Sequence, residues 1–312
     1  ARYERLPSSL KGVTRDPVWI LGRNSSGIYI RFRTNSSAIH VRWKSTDPAH
    51  HMPHMTDAGD NGLDLYIFSE SDGWRFAGSA FQFGRAATDG TREKRLISNM
   101  VPRMRECMLY LSLYDGIDNL EIGVDEGAVI EGPVLDSPKS ARPVVMYGSS
   151  IMQGCSASRP GMAFTAIIGR RLDREVINLG FSGNGQLDLE IAGYMAAVVD
   201  PAVYVLDHVP NSSPAQIEER GEAFFNILRA AHPGVPVIFV EDPTFPTTRW
   251  DEGMREEVEA KNAAQKALFL KLKKAGQKNI YYVPTDNLIG TDGEATIDGV
   301  HFTDIGMVRY SD

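Results

Sequence analysis

Four short segments of this chain carry residues able to do acyl-transfer chemistry. Ser150 stands in Tyr147-Gly148-Ser149-Ser150-Ile151, and Asp298 and His301 stand three residues apart in Asp298-Gly299-Val300-His301-Phe302. A hydroxyl that attacks, an imidazole that takes its proton and a carboxylate that orients the imidazole are the parts of a serine hydrolase, here in the chain order Ser, Asp, His. Two further segments offer donors for the charge such an attack would create. Asn178 through Gly185 is glycine-rich, and the N–H of Gly183 is a candidate oxyanion donor beside that of Ser150 itself. Asp207-His208-Val209-Pro210-Asn211-Ser212 places the uncharged Asn211 amide, with two N–H groups, as a third donor, and Asp207 as a candidate substrate contact.

Each segment also has a plainer explanation when taken alone. Ser149-Ser150 reads as a turn that caps a helix, Asn211 as a turn residue before Pro214, and His301 as a surface histidine. Their joint occurrence after successive strands favours catalysis. A phosphate-cradling loop is disfavoured at Gly148, because no Gly-Lys-Ser/Thr ending follows.

The elements that must hold these residues fall into two halves. From residue 18 to 130 apolar and polar residues alternate, as in Ile28, Ile30 and Phe32 or Ile39, Val41 and Trp43. A period of two buries one face of a strand and wets the other. About eight short strands and no helix are expected over residues 1–135, as a β-sandwich of jelly-roll type. Gly132 to Lys139, with Pro133 and Pro138, reads as a linker.

From residue 140 to 312 the pattern changes. Short apolar runs at Pro143–Tyr147, Val176–Leu179, Ala202–Leu206, Val235–Val240 and Ile280–Val283 alternate with helical stretches near 161–173, 186–199, 214–232 and 252–275. Strands without alternation are buried on both faces. Five such units predict a five-stranded parallel sheet in a three-layer α/β/α sandwich, with its site beyond the carboxyl ends of the strands.

The 312 residues carry a formal net charge of −7 and no basic tract, which argues against a nucleic-acid partner. No apolar run approaches the roughly 20 residues that span a bilayer. Cys107 and Cys155 fall in different halves, and two buried thiols are a simpler expectation than a bridge. His50, His51 and His54 cluster with Met52 and Met55, but their spacing matches no standard zinc pattern. Serine chemistry needs neither metal nor cofactor, so a packed loop at the junction of the halves is expected, with His54 a candidate for shaping the substrate pocket. Trp43, Tyr66 and Trp74 are read as core rather than as a sugar-stacking platform.

Residues 140–312 resemble the SGNH superfamily, also called GDSL-type esterases and lipases, named for Ser, Gly, Asn and His in four blocks. Ser150, Gly183, Asn211 and the Asp298–His301 pair match those blocks in order. The match departs at Ser149, where the family usually has Asp, and at Val209-Pro210-Asn211-Ser212, where it usually reads Gly-x-Asn-Asp. Family members commonly continue into a full closing helix, whereas only eleven residues follow His301 here. Gly62-Leu63-Asp64-Leu65-Tyr66 resembles the Gly-x-Asp-Leu-Tyr signature of a domain found ahead of some bacterial SGNH hydrolases. The two halves together are similar to two-domain carbohydrate esterases. The resemblance implies an exported bacterial enzyme acting on a small-molecule or glycan ester, with a short acyl group, through an acyl-enzyme. A glycan-binding protein with a degenerate catalytic half and an acyltransferase using the same triad are the alternatives.

Overall fold

The computed structural model describes residues 2–47, 50–81 and 90–312. The first half contains α1 (Asp16–Gly22), β1 (Tyr29–Thr34), β2 (Ile39–Ser45), α2 (Asp57–Asp60), β3 (Leu63–Ser69), β4 (Gly73–Ala80), β5 (Thr91–Ile97), β6 (Arg105–Tyr110), β7 (Ile117–Val124) and β8 (Ile130–Glu131). The strands form two sheets, ordered β4-β3-β6-β1-β8 and β5-β2-β7. All pairings in both are antiparallel. In β2, Ile39, Val41 and Trp43 are buried while Arg42 and Lys44 are exposed, as the alternation requires. Phe32, Leu63, Leu65 and Leu109 of the larger sheet meet them in one core. Trp43 and Tyr66 are core residues, and Trp74 is half-buried with the Arg31 guanidinium 4.6 Å from its ring centre.

Among the described residues of this half, α1 and α2 depart from the all-strand expectation. α2 is a single turn, too short for a 3.6-residue period to be visible, and its one cue is Thr56, whose hydroxyl accepts from Gly59 N at 3.0 Å. α1 begins with Pro17 in its first turn and buries Val18 in the core of the second half, together with Leu6.

The second half runs β9 (Ser140–Gly148), α3 (Ser150–Gln153), α4 (Phe164–Leu172), β10 (Arg174–Gly180), α5 (Leu189–Ala196), β11 (Val203–Asp207), α6 (Pro214–Ala231), β12 (Val237–Val240), α7 (Glu252–Lys274), β13 (Ile280–Val283) and α8 (Asp304–Tyr310). The sheet order is β10-β9-β11-β12-β13, parallel throughout. The four expected helices and five expected strands are all present, the termini shifted by a few residues. α6 shows why its start is so readable: Ser213 and Gln216 form a reciprocal capping box around Pro214. α8 is a short helix beyond His301 that buries Met307. The chain passes from β9 to β10 on one side and then crosses to β11 on the other. The carboxyl end of β9 is therefore the switch point, where an open α/β sheet leaves a crevice for ligand.

Period-two alternation also joins the halves. In β3, Leu63 and Leu65 face the sandwich core, so Asp64 and Tyr66 face the other way. Tyr66, Met108 and Tyr110 pack on Ala166 of α4. Both cysteines are free and buried. Among the described residues no helix is long and apolar enough to cross a membrane.

Candidate active site

Ser150 is the first residue of α3, immediately beyond β9, and is only 6% exposed. Two close approaches force the bend. A side chain at Gly148 would lie 2.5 Å from the carbonyl oxygen of Asp207, and one at Gly185 would lie 2.5 Å from the carbonyl oxygen of Gly148. The Ser149 hydroxyl caps the turn by accepting from Ile151 N at 3.3 Å. Ser149, standing where the family usually has Asp, thus performs the N-cap role.

His301 reaches this turn from the far end of the chain. Its Nε2 lies 2.9 Å from Ser150 Oγ and its Nδ1 lies 2.7 Å from Asp298 Oδ2. Asp298 Oδ1 accepts from Val300 N at 3.0 Å and His301 N at 2.8 Å, a bracket that Gly299 permits by adopting φ +94°. Burial alone would raise the Asp298 pKa. The hydrogen bonds from the His301 side chain and from the two backbone N–H groups outweigh it and hold the carboxyl below its usual range. The loop is pinned on its outer side as well: Ser156 N donates to Phe302 O at 3.0 Å and Phe302 N to Cys155 O at 3.3 Å. The structure thus brings Ser150, His301 and Asp298 into one hydrogen-bonded relay.

The glycine-rich segment after β10 divides its labour. Gly180 and Gly185 press against protein backbone, at Gln153 and at Gly148, rather than against open space. Gly183 is exposed, with φ +68° and nothing near the position of a side chain. Asn211 Oδ1 accepts from Gly185 N at 3.2 Å, which leaves its amide N–H groups without a partner among the described residues. Asn211 thereby ties the loop after β11 to the segment that carries Gly183. Asn178 is a strut: its amide donates to Met152 O at 2.7 Å and to Thr165 Oγ1 at 3.0 Å.

Asp207 does not face a substrate. It is 2% exposed and stands near Tyr310 and Asp242. Burial pushes its pKa well above the usual range, and that of Asp242 up to about 7. The candidate contact at Asp207 is corrected on that ground: an aspartate that ends a buried parallel strand is enclosed on both faces. His54 does reach the site. Its ring centre is 5.0 Å from that of His301, and its Nε2 is 3.1 Å from Cys155 Sγ. Burial first, then the neighbouring His301, lowers its pKa, and burial raises the Cys155 thiol to about 11. His50 and His51 turn elsewhere, towards Asp60 at 3.5 Å and Asp57 at 3.8 Å.

Three supports join distant parts of the chain, and only the last had a signal in the sequence, the Gly-x-Asp-Leu-Tyr match. Gln153 Oε1 accepts from Ser182 N at 3.0 Å while its Nε2 donates to Asn24 Oδ1 and Leu113 O, tying α3 to both halves. Arg5 is 7% exposed and donates to Gly180 O at 2.6 Å. Burial lowers its pKa to about 10, but the guanidinium remains charged near neutral pH. Asp64 is fully buried and accepts from Arg159 Nη1 at 2.8 Å and Gly161 N at 2.9 Å, while Tyr66 donates its hydroxyl to Gly161 O at 3.3 Å. The Gly-x-Asp-Leu-Tyr signature is thus a clamp on the segment that follows α3.

Both halves of the chain match known protein families. Residues 141–312 match the model of the GDSL-like lipase/acylhydrolase family, and residues 1–130 match that of the N-terminus of SGNH-hydrolase-type esterases. A putative GDSL-like lipase from Bacteroides ovatus is 38% identical, with a TM-score of 0.92 over 99% of this chain and 88% of that one. A salicylyl-acyltransferase from a tetracycline biosynthetic pathway shares the fold over 99% of this chain and 86% of that one, with a TM-score of 0.77 and 16% identity. A family two carbohydrate esterase from Clostridium thermocellum, solved in complex with cellohexaose, shares it over 92% and 90%, with a TM-score of 0.63 and 13% identity. No curated protein matches the sequence significantly.

Proposed function

The chain belongs to the GDSL-like lipase/acylhydrolase family, and on that premise we propose that it is a serine esterase that removes a short acyl group, acetyl above all, from a carbohydrate. Family membership supports ester hydrolysis as the class of activity. The observation that carries the mechanism is the relay from Ser150 Oγ to His301 Nε2 at 2.9 Å and from His301 Nδ1 to Asp298 Oδ2 at 2.7 Å.

In this reading His301 takes the Ser150 proton as the hydroxyl attacks the ester carbonyl. Asp298 holds the ring and stabilises its charged form. The N–H groups of Ser150 and Gly183 and the Asn211 amide receive the oxyanion. His301 then protonates the leaving alcohol, and water repeats the cycle on the acyl-enzyme to release the acid. A carbohydrate alcohol is supported by the surface beside the Asp298 loop. Thr247 abuts Gly299, and Trp250, three residues on, is 83% exposed, an apolar face of the kind on which sugar rings stack.

The test compares p-nitrophenyl acetate, butyrate and octanoate, then measures acetate release from acetylated oligosaccharides. We expect acetate to be preferred, and Ser150→Ala to lose at least about 10⁴-fold in turnover. Equal turnover by Ser150→Ala and the unaltered enzyme would rule the mechanism out. Ester hydrolysis without acetate release from any oligosaccharide would rule out the carbohydrate.

A further inference from the structure

Cys155 has no part in the relay, yet its sulfur sits beside it. His54 comes from the first half of the chain, Cys155 from just beyond α3 and His301 from the loop before α8. One nitrogen of each histidine and the Cys155 sulfur all lie within 4.8 Å of one another. His54 Nε2 and Cys155 Sγ are 3.1 Å apart. A tetrahedral zinc ion, with Zn–N near about 2.0 Å and Zn–S near about 2.3 Å, holds such atoms roughly 3.3–3.6 Å from one another. Small side-chain rotations therefore suffice to surround an ion. The donor set, two imidazoles and one thiol, is the chemistry that zinc-class cations select over magnesium or calcium. His301 already carries the outer partner typical of a metal-binding histidine, since its Nδ1 faces Asp298 Oδ2 and its Nε2 is turned inwards.

We propose that His54, Cys155 and His301 form a binding site for a soft divalent cation of the zinc class, and that occupation of this site inhibits the enzyme. The cation forms bonds to a nitrogen of His54, to His301 Nε2 and to Cys155 Sγ, while the Cys155 S–H bond breaks and its proton leaves to solvent. Water takes the fourth position. No oxidant or reductant takes part. Inhibition follows because the metal occupies the lone pair on His301 Nε2 that would otherwise accept the Ser150 proton. The inhibitory consequence rests on the esterase reading, and the binding does not.

Two metals test it. CdCl₂ titrated into the full chain should give one equivalent of an ultraviolet thiolate-to-cadmium band, absent in Cys155→Ser, where Cys107 is still present. ZnCl₂ should inhibit p-nitrophenyl acetate hydrolysis reversibly, EDTA restoring the rate. Inhibition should weaken by about tenfold or more in Cys155→Ser and in His54→Gln, as expected for a lost ligand. If Cys155→Ser fails to fold, His54→Gln carries the comparison. Cadmium binding without a thiolate band, or zinc inhibition equally strong in the folded variants, would overturn the site. An enzyme that hydrolyses no ester but still gives the cadmium band would sink the esterase reading alone.

Discussion

Asp207 ends β11 with His208 next to it, and Asp298 and His301 lie in the loop beyond β13, so two strands of one parallel sheet each lead to an aspartate and a histidine at the same edge. Their surroundings make them different chemical groups. His301 is bonded through one nitrogen to Asp298 and through the other to Ser150, with its side chain 22% exposed. His208 is fully buried, its Nδ1 lies 3.0 Å from Ser212 Oγ, and burial lowers its pKa to about 3. Asp298 is held charged by three hydrogen bonds, whereas burial pushes the Asp207 pKa well above the usual range. A pair on a partly exposed loop, with its carboxylate bracketed by backbone N–H groups, can pass a proton. A pair enclosed by the sheet can only pack and orient. The Ser212 hydroxyl, which donates to Gly185 O at 3.1 Å, converts that packing into support for the Gly183 segment.

The comparison is broken most directly at Asp298. Asp298→Asn keeps an acceptor for the two backbone N–H groups but cannot stabilise a protonated His301. We expect kcat to fall by about 10³–10⁴-fold with an unchanged circular-dichroism spectrum. A fall of less than about tenfold would make Asp298 no more than a structural bracket. Next comes Asn211, whose side chain binds the segment that carries Gly183. Asn211→Ala should cost about 100- to 1000-fold in kcat, the usual loss of one oxyanion donor. A loss confined to KM would remove Asn211 from the oxyanion site.

What was legible in the sequence follows the same division. The parallel strands and their helices were readable because a doubly buried strand is a short apolar run and a long helix repeats every 3.6 residues. Ser150 was readable because it follows the first parallel strand at the carboxyl edge of the sheet, and Asp298 and His301 because an acid and an imidazole stand three residues apart in the loop beyond the fifth strand. Asp207 reads as a substrate contact because it ends a strand at that same edge, and spacing alone carries no measure of burial. Arg5 with Gly180, Asp64 with Arg159 and His54 with Cys155 are about a hundred or more residues apart in sequence. Neither residue of such a pair marks the other, so only the packing of the two halves shows them. α1 and α2 were missed because seven and four residues are too few to show a period.

The clamp between the halves sharpens the comparison from outside the sheet. Asp64→Asn leaves Arg159 close to the faces of Phe76 and Tyr66 with its counter-charge gone. Breaking one side of such a buried pair typically costs about 3–5 kcal/mol, and the 20% exposure of the Arg159 side chain puts this one at the lower end. Denaturant unfolding measures that loss. Because the clamped segment continues from Cys155, which pairs with Phe302, kcat should also fall, by about tenfold or less. Unaltered stability would mean that the two halves are held together elsewhere.

The smallest effect on turnover is expected at the enclosed histidine. His208→Gln removes an imidazole that touches neither Ser150 nor His301, so kcat should drop by no more than about tenfold, far less than for Asn211→Ala. Its signature is instead the pH dependence of stability. The folded chain keeps His208 neutral down to about pH 3, whereas the unfolded chain protonates it near the ordinary histidine value of 6.5. Between those values the unfolded state binds one more proton, so stability falls as pH falls, by about 1.4 kcal/mol per unit from this group. Asp242 works in the opposite sense. Its pKa of about 7 against the ordinary aspartate value of 3.8 means that the folded state binds the extra proton, so stability from that group falls as pH rises through the same window. In the wild-type chain the two slopes oppose each other. Removing His208 should therefore leave a variant whose stability, measured by urea unfolding at pH 7 and pH 5, increases towards pH 5 relative to the wild type. Parallel profiles for the two proteins would show that His208 is protonated in the fold, and the contrast with His301 would then rest on hydrogen bonding rather than on burial.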